Sequence, residues 1–321
     1  MKLSRRSASV TKPPKSRVTR LLTLVLVAGI AAFGAIYYQD QHVAAGPSMV
    51  ERQTLVAEAA VKKAPNNIAV RLLLADSYRL DKRYDDAVKQ YDVILTVDKT
   101  NRFALLGRGS VLISKGDLNA AKASYTKITS AERKGEFAGA DPQLQEAYYY
   151  LGAIAVKQGK ATEAITNLTA ALKIDSGDSD AYYQMGLAET KAGKTKLAVG
   201  AFQQALRFVP TGWCEPYDQL ALAYTKIGSK AQAGYNAGMA SFCHKKPVDA
   251  KRQLKALVTG PMKVDSLLGL ALIAETESNN PEAVSWYKQV LTADAQNAAA
   301  IAALSRLGVT PTGSPTTQGP S

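Results

Sequence analysis

Six alanines occupy the same place in a unit of 34 residues: Ala87, Ala121, Ala164, Ala198, Ala233 and Ala283 each fall at its position 20. Ala87 and Ala121 are 34 residues apart, as are Ala164 and Ala198, and Gly116, Gly159, Gly193 and Gly228 mark the middle of four units. A fixed period of this length implies helical hairpins stacked into a solenoid, each burying its apolar face on the next, rather than one globular core. Such chains bind other macromolecules along an extended surface, and the period does not say which.

Aligned on the alanines, the units run 68–101, 102–135, 145–178, 179–212, 214–247 and 264–297. Position 8 is always small (Ala75, Gly109, Gly152, Gly186, Ala221, Ala271), and position 24 is large in Tyr91, Tyr125, Leu168, Phe202 and Tyr287, with Ala237 the exception. Position 7 is apolar in Leu74, Leu151, Met185, Leu220 and Leu270, and Arg108 breaks that pattern. Small residues at 8 and 20 let the two helices of a hairpin approach closely, and large ones at 7 and 24 fill the space between hairpins. Glycine at 15 ends the first helix and permits the tight turn into the second.

This pattern resembles the tetratricopeptide repeat family over residues 50–308, most clearly through Tyr148, Leu151, Gly152, Gly159 and Ala164, then Tyr182, Met185, Gly186, Gly193, Ala198, Phe202 and Pro210. The family's aromatic at position 4 is replaced by Arg71, Leu105 and Leu267 in three units. The resemblance implies an all-α, right-handed superhelical solenoid of about six hairpins. Half-repeats should cap it: residues 50–64, ending at Pro65, as a lone second helix, and 298–308 as a terminal helix. Two interruptions are expected. Residues 136–144 read as a loop with Pro142 opening the next helix, and 248–263 as an insertion holding an extra helix up to Val258, stopped by Gly260-Pro261. The tail 309–321, rich in Pro, Gly, Thr and Ser, reads as disordered.

The charge is unevenly spread. Residues 1–20 hold seven bases and no acid, which leaves 33 bases against 27 acids, or +6, for the rest of the 321-residue chain. That is too dilute for a nucleic-acid surface, and no recognition motif accompanies it. After this basic cytoplasmic tail, residues 21–39 carry no charge and end near Tyr37 and Tyr38. About 20 apolar residues span a bilayer core as a helix, and aromatic rings favour its interface. The expectation is a single-pass transmembrane signal anchor, N-terminus in the cytoplasm, followed by a linker at 40–49 and a repeat domain outside the cytoplasm. The competing reading is a cleaved signal peptide, with Val43-Ala44-Ala45 before Gly46 as its cleavage site. The length of the apolar run favours the anchor. Gly29 and Gly34 are five apart, not the four-residue spacing of a membrane-helix dimer motif.

Cys214 and Cys243 stand at positions 1 and 30 of one unit. In an antiparallel hairpin these positions share an end, and outside the cytoplasm oxidation is permitted, so a Cys214–Cys243 disulfide is expected. No other chemistry emerges. Gly193-Lys194-Thr195 resembles the end of a phosphate-binding loop, but Ala188 stands where its first glycine belongs. With only His42 and His244, the common His-based zinc sites are excluded, and no serine lies in a nucleophile elbow. Asn167-Leu168-Thr169 fits a glycosylation acceptor placed mid-helix. No catalytic residue, metal site or cofactor site is expected.

In the tetratricopeptide family the first helices line a concave groove. Carried onto this chain, the resemblance offers Tyr149, Tyr150 and Lys157, then Tyr183, Gln184, Thr190 and Lys191, then Asp218, Gln219, Thr225 and Lys226. Tyrosine supplies rigid contact area with a polar tip, and a row of lysines attracts carboxylates. Tyr148 and Tyr182 read as packing residues. The family's two-carboxylate clamp is absent, since Leu72 and Asp76, Leu106 and Ser110, and Tyr149 and Ala153 occupy its positions. The reading is a non-catalytic scaffold that docks protein or peptide partners of an envelope assembly at the membrane: secretion, pilus, cytochrome-maturation or cell-wall machinery. The alternative is a chaperone-like holder of translocated clients.

Overall fold

The computed structural model describes residues 26, 28–35, 37–38, 47–132, 140–208 and 212–310. The basic tail, the linker up to residue 46, residues 133–139 of the first interruption and the tail from 311 lie outside the described residues. So does part of the charge-free stretch 21–39, whose described residues are helical and exposed. Among the described residues no helix is long and apolar enough to cross a membrane.

From residue 49 onward the described secondary structure is helical: α1 (Met49–Lys63), α2 (Ile68–Leu80), α3 (Tyr84–Val97), α4 (Arg102–Ser114), α5 (Leu118–Glu132), α6 (Pro142–Lys157), α7 (Ala161–Ile174), α8 (Ser179–Lys191), α9 (Thr195–Phe208), α10 (Glu215–Lys226), α11 (Lys230–Cys243), α12 (Pro247–Lys255), α13 (Lys263–Thr276), α14 (Asn280–Ala293) and α15 (Ala298–Arg306). Each packs on its successor in sequence, and the first helices α2, α4, α6 and α8 also touch one another in order. Polar caps start them: Asn67, Asn101, Asp178 and Asn297 accept the backbone N–H three residues on, and Asp141 does the same ahead of Pro142. Each cap satisfies a donor that the first helical turn leaves unpaired. Ser48 and Glu51 close a reciprocal capping box on α1.

The hairpin turns are uniform. At position 15 the backbone is left-handed in Gly116 (φ +82°), Gly159 (+73°), Gly193 (+75°) and Gly228 (+80°), and equally in Lys82, Lys245 and Ser278 (each +59°). The N–H that follows reaches back to the carbonyl five residues earlier, as in Asp117 to Leu112 at 2.9 Å, Lys246 to Ser241 at 2.9 Å and Asn279 to Ala274 at 2.8 Å. This is the six-to-one bond that closes a Schellman cap.

Between the helices of a hairpin, position 8 seats the large residue of position 24. A Cβ on Gly109 would stand 2.5 Å from the Tyr125 ring, one on Gly152 2.5 Å from Leu168, and one on Gly186 2.5 Å from Phe202. Tyr125, Leu168 and Phe202 are fully buried, so no room exists for them to yield. Arg108 keeps its place at position 7 because its guanidinium donates to Asp92 at 2.7 Å and to Ser124 at 2.9 Å. Arg71, where an aromatic was expected, donates to the Pro65 carbonyl at 2.6 Å and to Gln90 at 2.8 Å.

The partition of the C-terminal third differs from the sequence reading. Ala250 is fully buried, whereas Ala233, the alanine of the 214–247 unit, is only half-buried. A Cβ on Gly238 would meet Leu254 at 2.8 Å, and 238 to 254 is the same 16-residue step as 109 to 125. Lys245 supplies the left-handed turn, and α11 touches α13 as one first helix touches the next. The complete hairpin is therefore α11–α12, in the frame that starts at residue 231, and α10 is a lone helix between hairpins. Residues 248–263 are not an insertion but the second helix of a repeat and its exit turn. That helix ends at Lys255 rather than Val258, with turns to Met262.

Candidate functional site

Along the first helices, positions 2 and 5 lie near the N-terminal end and position 13 near the other. Eight residues of helix separate positions 5 and 13 by about 12 Å. The residues expected to form one groove thus fall into two bands.

The first band is aromatic. Tyr149 and Tyr150 meet edge to face with centroids 5.1 Å apart, and Tyr150 stacks on Tyr125 at 5.0 Å. One unit on, Tyr183 lies 5.7 Å from Phe202 and 5.1 Å from Trp213. Tyr149, Tyr150 and Tyr183 are half-buried, each ring resting on the core and leaving part of itself open, which fixes its orientation before anything binds. Gln184 and Gln219 are also half-buried. The second band is Lys157, Lys191 and Lys226, all exposed, with Thr190 and Thr225 beside it turned back onto the carbonyls of Gly186 and Ala221.

Sequence reasoning passed over the acids of the aromatic band. Position 2 carries Glu146 in α6, Asp180 in α8 and Asp265 in α13, and Glu215 holds the matching place at the start of the lone helix α10. Glu146 is half-buried and has no ion pair or side-chain hydrogen bond among the described residues. Burial pushes its carboxyl above the usual glutamate range, because an ion taken from water without a partner disfavours its charged form. Asp180, more open, is raised by partial desolvation and then by the Asp178 charge. Burial followed by the Asp180 charge raises Tyr149, and burial followed by Glu215 and Asp218 raises Tyr183. Carboxylates and tyrosines thus share one strip. Comparing position 2 across the units would have found it.

Beside Trp213, which touches Tyr183, Cys214 is joined to Cys243 by a disulfide, Cα to Cα 5.4 Å. It ties the start of α10 to the end of α11, where Asp218 Oδ2 and His244 Nε2 lie 2.9 Å apart. Among the described residues no group of three or more His, Cys, Asp or Glu side chains is placed to hold a metal ion.

A sequence model of the tetratricopeptide repeat matches residues 55–101, 106–179, 149–212 and 246–298. The chain belongs to the tetratricopeptide repeat family. The last of these matches runs through 248–263, in keeping with the repeat that the structure places there. A crystal structure of MamA protein is 25% identical with a TM-score of 0.50, covering 56% of this chain and 93% of that one. A second crystal structure of MamA is 26% identical with a TM-score of 0.49, covering 55% and 96%. MamA 41-end from Desulfovibrio magneticus RS-1 is 16% identical with a TM-score of 0.50, covering 57% and 97%. No curated protein matches the chain. As a tetratricopeptide-repeat solenoid, the protein has the architecture of a protein-interaction scaffold.

Proposed function

We propose that the chain is a non-catalytic adaptor that holds an extended protein segment against the first helices of its central repeats. It is tethered to a membrane by residues 21–39 and works outside the cytoplasm, where it docks partners of an envelope assembly. The observation that carries the binding surface is the strip of Glu146, Tyr149, Asp180 and Tyr183, in which carboxylates without a partner stand beside half-open rings. Desolvated, uncompensated polar groups next to preoriented aromatics are what a binding partner completes. The tether rests on the charge-free stretch and the seven bases before it, and the Cys214–Cys243 bond suits an oxidising compartment.

The test is cross-linking in intact cells of the tagged full-length protein, wild type against a Tyr149→Ala/Tyr183→Ala variant whose melting is checked first. One dominant, stoichiometric set of envelope partners that disappears in the variant is the expected result. A diffuse set of newly exported chains, unaffected by the substitutions, would replace the adaptor with a holder of clients. Cytoplasmic partners bound to the repeats would overturn the topology.

A further inference from the structure

The hairpin that breaks the repeat rule leaves a pocket. In the complete hairpins position 8 is buried under a large side chain at position 24: Ala75 under Tyr91, Gly109 under Tyr125, Gly152 under Leu168, Gly186 under Phe202, Gly238 under Leu254, Ala271 under Tyr287. Between α10 and α11 the corresponding pair is Ala221 and Ala237, and both remain half-buried. The cause is the double duty of α11. Its Gly238 face is committed to Leu254 of α12. Where it faces α10 across this seat it carries only Ala233 and Ala237, while Met239 and Ala240 pack with Tyr217 of α10 elsewhere along the pair. The result is an open pocket of about 600 Å³ that reaches from Asp218 and Leu222 on α10 to Lys246 at the start of α12.

The lining indicates the ligand. The floor is methyl groups, and Leu222 on its wall is 65% exposed, an apolar surface with nothing on it. The polar rim is largely satisfied from within: Asp218 is paired with His244 at 2.9 Å, and Ser241 donates to Gln253 at 3.0 Å. Lys246 is exposed and has no acidic partner among the described residues. One uncompensated cation at the edge of an apolar seat calls for an aromatic or large apolar body with a carboxylate close by.

We propose that this pocket is a binding site for a polypeptide segment in which an aromatic residue stands beside an aspartate or glutamate. The ring rests on Ala221 and Ala237, the seat that position 24 fills in the other hairpins, and the carboxylate meets Lys246. The proposal rests on the adaptor reading only in taking its ligand to be a polypeptide. Its residues are distinct from the tyrosine strip, so the two fail separately.

The probe is a library of random dodecapeptides, fused through their C-termini so that no free carboxylate is offered, panned on the full-length chain in nanodiscs. Enriched peptides should share an aromatic residue adjacent to an acid. Their affinity should fall at least tenfold with Ala237→Phe, which fills the seat from inside, and severalfold with Lys246→Glu, while Tyr149→Ala/Tyr183→Ala leaves it unchanged. Thermal melting accompanies each variant, and Ala237→Leu replaces Ala237→Phe if the larger ring lowers the melting temperature. No enrichment, enrichment without the aromatic–acid pair, or full binding to the filled variant would each overturn the site. Peptides lost with the tyrosine substitutions alone would keep the adaptor and remove this pocket.

Discussion

At the scale of single residues the fold is set by contrasts of size. Gly186 faces Phe202 with no room for a methyl group between them, and Gly109 faces Tyr125 in the same way. These pairs were legible in the sequence because position 8 and position 24 recur at fixed distance, and recurrence is what a sequence displays. The acid at position 2 was less legible, since Glu146 and Asp180 look like ordinary surface charges until burial is known. Glu146 has a measurable signature. Its folded carboxyl titrates above the glutamate range, so between the unfolded value of about 4.3 and the raised folded value the native state holds more protons than the unfolded chain. Stability therefore falls as pH rises through that window, and the cost is complete above it. Glu146→Gln should raise stability at pH 7 by less than about 1 kcal/mol, the group being half open to solvent. The gain should vanish below the unfolded value. Urea midpoints at pH 7 and pH 3.5 check this; an equal gain at both would mean that the charge is not its source.

Among elements, α11 carries the most consequence. It acts as second helix to α10 and as first helix to α12, and sequence reading assigned it only the former role. Two features disguised the latter. Ala233 falls on the alanine series by coincidence of spacing, and Lys245 occupies the left-handed turn where the eye seeks glycine. The step from Gly238 to Leu254, identical to three others in the chain, is the signal that could have found it. Because Ala237 stands where the other hairpins carry a large residue at position 24, the α10–α11 interface has lost one anchoring side chain, where removing such a group costs about 2–5 kcal/mol. It keeps Tyr217 of α10 packed in one cluster with Met239 of α11. The Cys214–Cys243 bond spans this weak pair and closes a loop with a sequence separation of 29. A loop of that size is worth about 3–4 kcal/mol through the unfolded chain. Cys214→Ser/Cys243→Ser should cost that much in the C-terminal part of the protein. Amide exchange should quicken in α10 and the last turns of α11, which the bond joins, and remain unaltered in α2 to α7. Uniform acceleration along the chain would show that the bond stabilises the whole solenoid rather than this joint.

For the whole molecule, a solenoid is a row of units coupled only to their neighbours, so its stability is a sum of unit and interface contributions. Such a row unfolds as one body while every interface is strong, and divides at the weakest when one is not. Interfaces up to α9–α10 are dense: Phe202, Ala198 and Val199 of α9 are buried with Leu220 and Ala223 of α10. A second body forms around Leu254, Leu270 and Ile273 from α12 and α13, joined by Met239 of α11 and by Tyr217 of α10, with Leu206 of α9 packed at its edge. The joint between them is held by Tyr217, Leu206 and one disulfide, and is interrupted by the alanine-lined pocket. With the disulfide intact, denaturation should be a single transition. Once it is reduced, the curve should split, with the block ending at α13 to α15 melting apart from the block α1 to α9. Hydrogen exchange through the transition would place the boundary at α10–α11. A reduced protein that still melts in one step, with all helices exchanging together, would mean that α11 transmits cooperativity despite its bare face. The missing large residue would then have no energetic consequence beyond the pocket it opens.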